Sequence, residues 1–261
     1  MAVDKRVNLK LIVIDLDGTL LRTDKTISDY TLSALRRCRD KGVKIVFASA
    51  RSNRWPAILL PHFRPDVYVG YGGALAMGGE QVICRFDIPR EISDALIADC
   101  LSIPEIYNIF PKNETTALMN NQECLKQPEN SHYSFCDFKP LPGQSFLKIS
   151  INSTDPRAVE SLARKYPMCA VFRYSGEDMY QITHRDAVKW NAVKQILNHY
   201  DISAQDAAAF GDDLIDVEML RECGVGVAVA NAIDEAKTAA DHVCGSNDNN
   251  GVAKWLEENV L

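Results

Sequence analysis

The chain has 261 residues, 46% apolar and 25% charged side chains and a formal net charge of −6. That length suits one large domain or two modest ones with a full core. The acidic balance excludes a broad basic nucleic-acid surface, and no run nears the roughly 18 uninterrupted apolar residues of a membrane helix.

The front of the chain alternates short apolar runs with helical patterns. LKLIVI (9–14) reads as a strand, a helix follows from Ser28 to Lys41 and stops at Gly42, and VKIVFA (43–48) is the next strand. A short helix is expected after Arg51, then the strand VYVG (67–70), then a hairpin in which ALAM and QVIC flank Gly78-Gly79. Such alternation predicts parallel strands with crossover helices.

From about Arg85 the pattern becomes helix (91–101), strands near IYNIF and TTALM, a polar irregular tract (120–145), strand FLKISI, helix (155–166), and strands CAVFRY and DMYQIT. Helix followed by paired strands, twice over, predicts an α+β unit with an antiparallel sheet. After His184 the first pattern returns: helix 187–200, strand AAAF, helix 213–223, strand VGVAV, helix 232–240, strand HVC and a terminal helix VAKWLEEN. The expectation is a doubly wound, mostly parallel Rossmann-like α/β core, residues 1–84 and 186–261, interrupted by an inserted α+β cap domain, residues 85–185.

Other features read as structural. Arg36, Arg37, Arg39, Lys41 and Lys44 form a solvated helix face and the strand after it. The eight cysteines include no Cys-x-x-Cys pair and mostly lie in apolar stretches, as reduced core thiols do. MAVDKRVNLK leads into an apolar run too short for a signal peptide, which predicts a cytoplasmic protein. The glycines of GYGGALAMGG fit turns better than a phosphate loop. The five histidines show no metal-ligand spacing, although His184, at the return from the insert, could face the cleft.

The chemistry is concentrated in the acids. LIVIDLDGTLL ends a core strand with Asp15 and Asp17, and in open α/β sheets the carboxyl ends of parallel strands are where ligands bind. Close carboxylates repel unless a cation neutralises them or one takes up a proton. Mg²⁺ suits the first outcome, and a general acid beside a carboxylate nucleophile suits the second. AAAFGDDLID repeats the pattern, with Asp212 at a strand end, Asp213 beside it and Asp216 one helical turn on. One such Asp could be a turn or cap residue; all of them together, with Gly18-Thr19 and Gly211, point to a metal site.

DLDGTLL, the Ser49-Ala50-Arg51 segment, KWNAVKQIL, GDDLIDVEML and the tail from Gly224 together resemble the haloacid dehalogenase (HAD) superfamily, specifically its Cof-like branch with a type IIB cap. The resemblance spans nearly the whole chain. It implies a Mg²⁺-dependent phosphatase whose nucleophile is Asp15 and whose acid and base is Asp17. Leu16, Ser49, Ala50, Arg51 and Lys189 would lie against the phosphate, with Lys189 bridging it to Asp15. Asp15, the main-chain carbonyl of Asp17 and Asp212 would hold Mg²⁺, with Asp216 orienting Lys189 or the metal waters. The expected partner is a small-molecule phosphate ester such as a sugar phosphate, not a nucleic acid or a membrane.

The chain departs from that pattern in three places. Ile215 stands where the family has Asn, Ser49-Ala50-Arg51 replaces Thr-Gly-Arg, and Gly72-Gly73-Ala74 replaces Asn-Gly-Ala. Arg51 could bind substrate or cap the next helix. On the insert, Asn113, Glu114 and Tyr180 are candidates for contacting the leaving group, since a lid closing over the site would exclude water. The competing readings are a phosphotransferase or mutase and, given Ile215 and Gly72, a catalytically impaired phosphometabolite-binding protein.

Overall fold

A computed structural model describes residues 7–52, 61, 63–173 and 178–261. The helix expected after Arg51 and the expectation for His62 lie outside these residues. The chain divides into two compact units: one runs through Arg85 and resumes at Val188–Leu261, and the other is Phe86–Ala187.

Along the chain the elements are β1 (Leu11–Asp15), α1 (Asp29–Asp40), β2 (Lys44–Ala48), β3 (Val67–Gly70), β4 (Leu75–Gly78) and β5 (Gln81–Arg85). The insert supplies α2 (Arg90–Ser102), β6 (Ile106–Lys112), β7 (Leu118–Met119), α3 (Gln122–Leu125), β8 (Ser134–Phe135), β9 (Lys148–Ser153), α4 (Pro156–Lys165), β10 (Cys169–Arg173) and β11 (Met179–His184). The return adds α5 (Lys189–His199), β12 (Ala207–Gly211), α6 (Val217–Glu222), β13 (Val225–Val229), α7 (Asp234–Ala239), β14 (His242–Cys244) and α8 (Gly251–Asn259).

The first unit holds one sheet in the order β14-β13-β12-β1-β2-β3-β4-β5. Its strands run parallel from β14 to β3, and β4 and β5 add an antiparallel edge. All residues of β1 and β12 are buried, as expected of central strands covered on both faces, and this is why both are continuous apolar runs. Helix α1 shows how the sequence sets an element's ends. The Ser28 side chain accepts from the Thr31 amide, Leu32, Leu35 and Cys38 supply the buried stripe, and Gly42 takes up a left-handed φ of +86° just beyond the last turn. Strand β1 lies between β12 and β2, in register at Ile14↔Phe210 and Asp15↔Ala48, so the carboxyl ends of the three strands lie side by side. The chain leaves β1 in one direction along the sheet and returns to its other side, the switch point at which such sheets bind ligands.

The insert's main sheet has the order β10-β11-β9-β6 and is antiparallel throughout. One face packs Ile109, Ile149, Ile151 and Ile182 with Leu96 and Ile97 of α2 and Val159 and Leu162 of α4. Two expectations change here. The strand foreseen in TTALM shrinks to Leu118–Met119, because the Asn113 side chain accepts from the Thr115 and Thr116 amides and spends the threonines on a turn. The polar tract contains α3 and β8, and β8 pairs with β7 in parallel. In the first unit, the helix expected from residue 213 splits into a 3₁₀ turn, Leu214–Asp216, and α6, since Asp213 and Asp216 form a reciprocal capping box. Among the described residues no helix is long and apolar enough to cross a membrane.

Phe47 on β2 is fully buried, its ring centroid 5.8 Å from that of Phe63. Phe47→Ala is expected to lower the unfolding free energy by about 3–5 kcal/mol, read by urea denaturation; a loss below about 1 kcal/mol would mean that the neighbours close the void.

Candidate active site

Asp15 ends β1 at the sheet's centre and Lys189 opens α5. The Lys189 Nζ donates to Asp15 Oδ1 at 2.5 Å and to Asp216 Oδ1 at 2.6 Å, and all three side chains are buried. A lone buried ammonium is too costly to keep; one lysine between two carboxylates is tolerable because each charge has a partner. Burial works against the charged form of Lys189, but Asp15 and Asp216 outweigh it and push its pKa up. Asp15 is pushed well above the usual carboxylate range, mainly by burial; Lys189 opposes that and the charges of Asp216 and Asp212 add to it. The other Asp216 oxygen accepts from the Asp212 and Asp213 amides at 3.1 and 3.2 Å, so the residue that holds Lys189 also shapes the loop after β12. Gly211 is required there, since an added Cβ would lie 2.4 Å from Asp216 Cβ.

Asp212 is held from the β1 side. Thr19 Oγ1 donates to Asp212 Oδ1 at 2.5 Å, and Gly18, at φ +85°, lets the backbone pass where a Cβ would lie 2.3 Å from Asp212 Oδ2. Burial, with Asp216 nearby, raises the Asp212 carboxyl to about 6 against the Thr19 hydrogen bond. One oxygen each of Asp15, Asp212 and Asp216 falls within 4.8 Å of the others. Hard oxygen donors crowded in partial burial, with carboxyls that resist ionising, are the donor set a divalent cation relieves.

The carboxyl of Asp17 takes another direction. Arg51 grips both its oxygens through Nε and Nη2, and Lys25 Nζ donates to Oδ1 at 2.8 Å. Burial would raise its pKa, but these cations hold it below the ordinary carboxylate value. Ser49 is buried at the end of β2: its amide donates to Val69 O at 2.9 Å, its carbonyl accepts from the Gly72 amide at 3.0 Å, and its Oγ accepts from the Arg51 amide. Gly72 has φ +72°, a backbone region that Asn also tolerates. Leu16 is buried, and its carbonyl accepts from the Leu21 amide at 2.8 Å.

The structure thus brings Asp15, Lys189, Asp212 and Asp216 together and turns the Asp17 carboxyl toward Arg51. Arg51 is a clamp on Asp17, a role the sequence reading did not consider. Lys25 was also missed, since no motif marks a loop lysine eight positions beyond Asp17. Asn231 donates to Gly18 O at 2.8 Å and accepts from the Asn247 amide, and Asn247 donates to Leu21 O, so the tail fastens the loop after β1. On the insert, Tyr180 belongs to the apolar core and Asn113 to its turn, and the His184 Nδ1 accepts from the Asp186 amide.

The haloacid dehalogenase-like hydrolase family profile matches residues 12–256, so the chain belongs to that family. Within it, the chain is a phosphatase-type enzyme. It is 27% identical to the 5-amino-6-(5-phospho-D-ribitylamino)uracil phosphatase YwtE of Bacillus subtilis, over 96% of this chain and 98% of that one. It is 26% identical to the HMP-PP phosphatase of Yersinia pseudotuberculosis, over 95% and 94%. Among solved structures, it superposes on a HAD subclass IIB sugar phosphatase with a TM-score of 0.80 at 24% identity, covering 95% and 98% of the two chains. A Thermotoga maritima protein gives a TM-score of 0.83 at 23% identity over 97% and 98%.

Lys189→Met would leave Asp15 and Asp216 facing each other without their shared cation. The expected loss of unfolding free energy at pH 7 is about 3–5 kcal/mol. The loss should shrink toward pH 5, because the Asp15 carboxyl, whose pKa burial raises, becomes neutral as the pH falls through it. Denaturation at the two pH values checks this, and an equal loss at both would contradict it.

Proposed function

We propose that the chain is a Mg²⁺-dependent phosphomonoesterase acting on small phosphorylated metabolites, sugar phosphates among them, through an aspartyl phosphate on Asp15. The observation that carries this reading is the buried Lys189 bound at once to Asp15 and Asp216 with Asp212 in reach, which fixes one carboxylate oxygen at a strand end with positive charge beside it. The ribitylaminouracil phosphatase and the HMP-PP phosphatase differ in leaving group, which supports a class of small phosphate esters.

In this mechanism an Asp15 carboxylate oxygen attacks phosphorus and the bond to the leaving oxygen breaks. Asp17 gives that oxygen a proton, and the alcohol departs. Asp17, now a carboxylate, takes a proton from water; the water oxygen attacks phosphorus, the bond to Asp15 breaks and inorganic phosphate leaves. Lys189 and the groups at Ser49 and Ala50 meet the negative charge spread over the phosphoryl oxygens. Asp15, Asp212 and the Asp17 main-chain carbonyl would hold Mg²⁺, with Asp216 behind them, and the ion would neutralise charge on the phosphoryl group. Arg51 and Lys25 favour the ionised Asp17 that the water step needs. Its role as acid therefore requires the Arg51 clamp to loosen when substrate binds.

Phosphate release from a panel of phosphomonoesters, with Mg²⁺ or EDTA, tests this reading. Asp15→Asn should lower kcat by about 10³-fold or more with the fold intact; substantial residual turnover would overturn the nucleophile assignment. Since the Asp212 carboxyl is raised to about 6, protons should compete with the cation below that pH. Mg²⁺ should therefore bind about tenfold more weakly at pH 5 than at pH 7.5, and a pH-independent Mg²⁺ titration would remove Asp212 from the ligand set.

The Ile215 side chain is 40% exposed, so an amide can be accommodated there. Ile215→Asn should lower KM or raise kcat for phosphate esters, and unchanged kinetics would mean that another group already serves in place of the amide.

A further inference from the structure

Between β1 and α1 the chain reverses in a tight turn at residues 22–26. The Lys25 amide donates to Arg22 O at 2.8 Å and the Arg22 amide to Thr26 O at 2.9 Å, with Lys25 at φ +66°. That left-handed position suits Gly or Asn, and a lysine in it strains the backbone. Neighbouring residues hold the turn in place. The Thr23 amide and Oγ1 donate to the two carboxylate oxygens of Asp248, each at 2.8 Å, and Arg22 Nη2 and Ser28 Oγ donate to Asn250 Oδ1 at 3.1 and 2.8 Å. Asp24 Oδ1 accepts from the Thr26 amide at 2.9 Å. The Lys25 side chain instead reaches out of the turn, and its Nζ donates to Asp17 Oδ1 at 2.8 Å. The two side chains are 53% and 34% exposed, and a pair that wet adds little stability. Strain kept without a return in stability points to a function.

The two oxygens of Asp17 are held unequally. Oδ1 accepts from Lys25 Nζ and Arg51 Nη2, and Oδ2 accepts from Arg51 Nε. A carboxylic acid has one strong acceptor, its carbonyl oxygen, and one O–H. The two-point grip of Arg51 therefore fits only the ionised Asp17, whereas the single bond from Lys25 fits both forms. Once Arg51 lets go, an ammonium on Oδ1 leaves the proton to Oδ2.

We infer that Lys25 is a positioning residue for proton transfer. It keeps hold of Asp17 Oδ1 throughout the reaction. Oδ2 is then the oxygen that gives its proton to the leaving oxygen as the bond to phosphorus breaks, and that later takes a proton from the attacking water. The inference rests on the proposed function, in which Asp17 is acid and base, and Lys25 acts through Asp17 alone.

The test compares two variants of the full chain with Mg²⁺ present. Lys25→Gly removes the ammonium and the strain, and Lys25→Met removes the ammonium and keeps the strain. Lys25→Gly should melt no lower than the wild type, and Lys25→Met no higher than Lys25→Gly. Phenyl phosphate and p-nitrophenyl phosphate share a shape, but phenoxide is the stronger base and needs the acid more. The ratio kcat/KM runs to departure of the leaving group and so reads the acid step. Both variants should lose about tenfold in kcat/KM on phenyl phosphate and about threefold or less on p-nitrophenyl phosphate, a part of what general acid catalysis contributes. A fall in the melting temperature of Lys25→Gly, an equal loss on both esters, a loss in only one variant, or no loss in either overturns the inference. A wild type that turns over neither ester, or an Asp15→Asn that still does, overturns the proposed function and this inference with it. Wild-type turnover that Asp15→Asn abolishes, beside equal losses on the two esters in the Lys25 variants, overturns this inference alone.

Discussion

One ammonium group organises the first unit. Lys189 is held in a buried position by Asp15 and Asp216, which come from widely separated parts of the chain, and none of the three could stay buried as an ion without the others. The first residue of a helix, the last residue of a central strand and a 3₁₀ turn after another strand are thereby fixed to each other at hydrogen-bond distance. The geometry a nucleophilic carboxylate needs, one oxygen engaged and its position set, follows from the same contacts that make its burial tolerable.

The backbone around this group is equally constrained. Gly18 and Gly211 are places where a single Cβ would strike Asp212 or Asp216, so the approach of the two acid-tipped loops depends on residues with no side chain. Asn231 and Asn247 brace the loop after β1 from the carboxyl-terminal segment. Raised pKa values at Asp15 and Asp212 are the electrostatic counterpart of that crowding: burial and the neighbouring carboxylates work against the ionised form of each. The lowered pKa of Asp17 sets it apart, so neighbouring acids in one motif are pushed in opposite directions, Asp15 up by burial and Asp17 down by Arg51 and Lys25.

Much of this was readable from residues because local rules and tertiary structure agree. The buried strands LIVID and AAAFG are apolar runs ending in acids, and Ser28 and Gly42 mark the ends of α1 by their own chemistry. The reading of residues 213–223 as one helix failed where a capping box outcompeted helical continuation. Arg51 on Asp17 is a long-range pairing that no spacing encodes. The cross-strand pair Lys112 and Lys148 depends on register, and the pairing of β6 with β9 shifts between Ile106 and Asn108, so alternation in IYNIFPK alone does not tell which residues share a face.

The most direct test of the account is to identify the residue that carries phosphorus during turnover. A single turnover with a slow ester, quenched in acid and reduced with borohydride, converts an aspartyl phosphate to homoserine, which mass spectrometry can locate in the peptide containing LIVIDLDGTLL. The account predicts homoserine at position 15, dependent on Mg²⁺. Homoserine at another position, or phosphate release in that turnover with position 15 unmodified at every quench time, would contradict it.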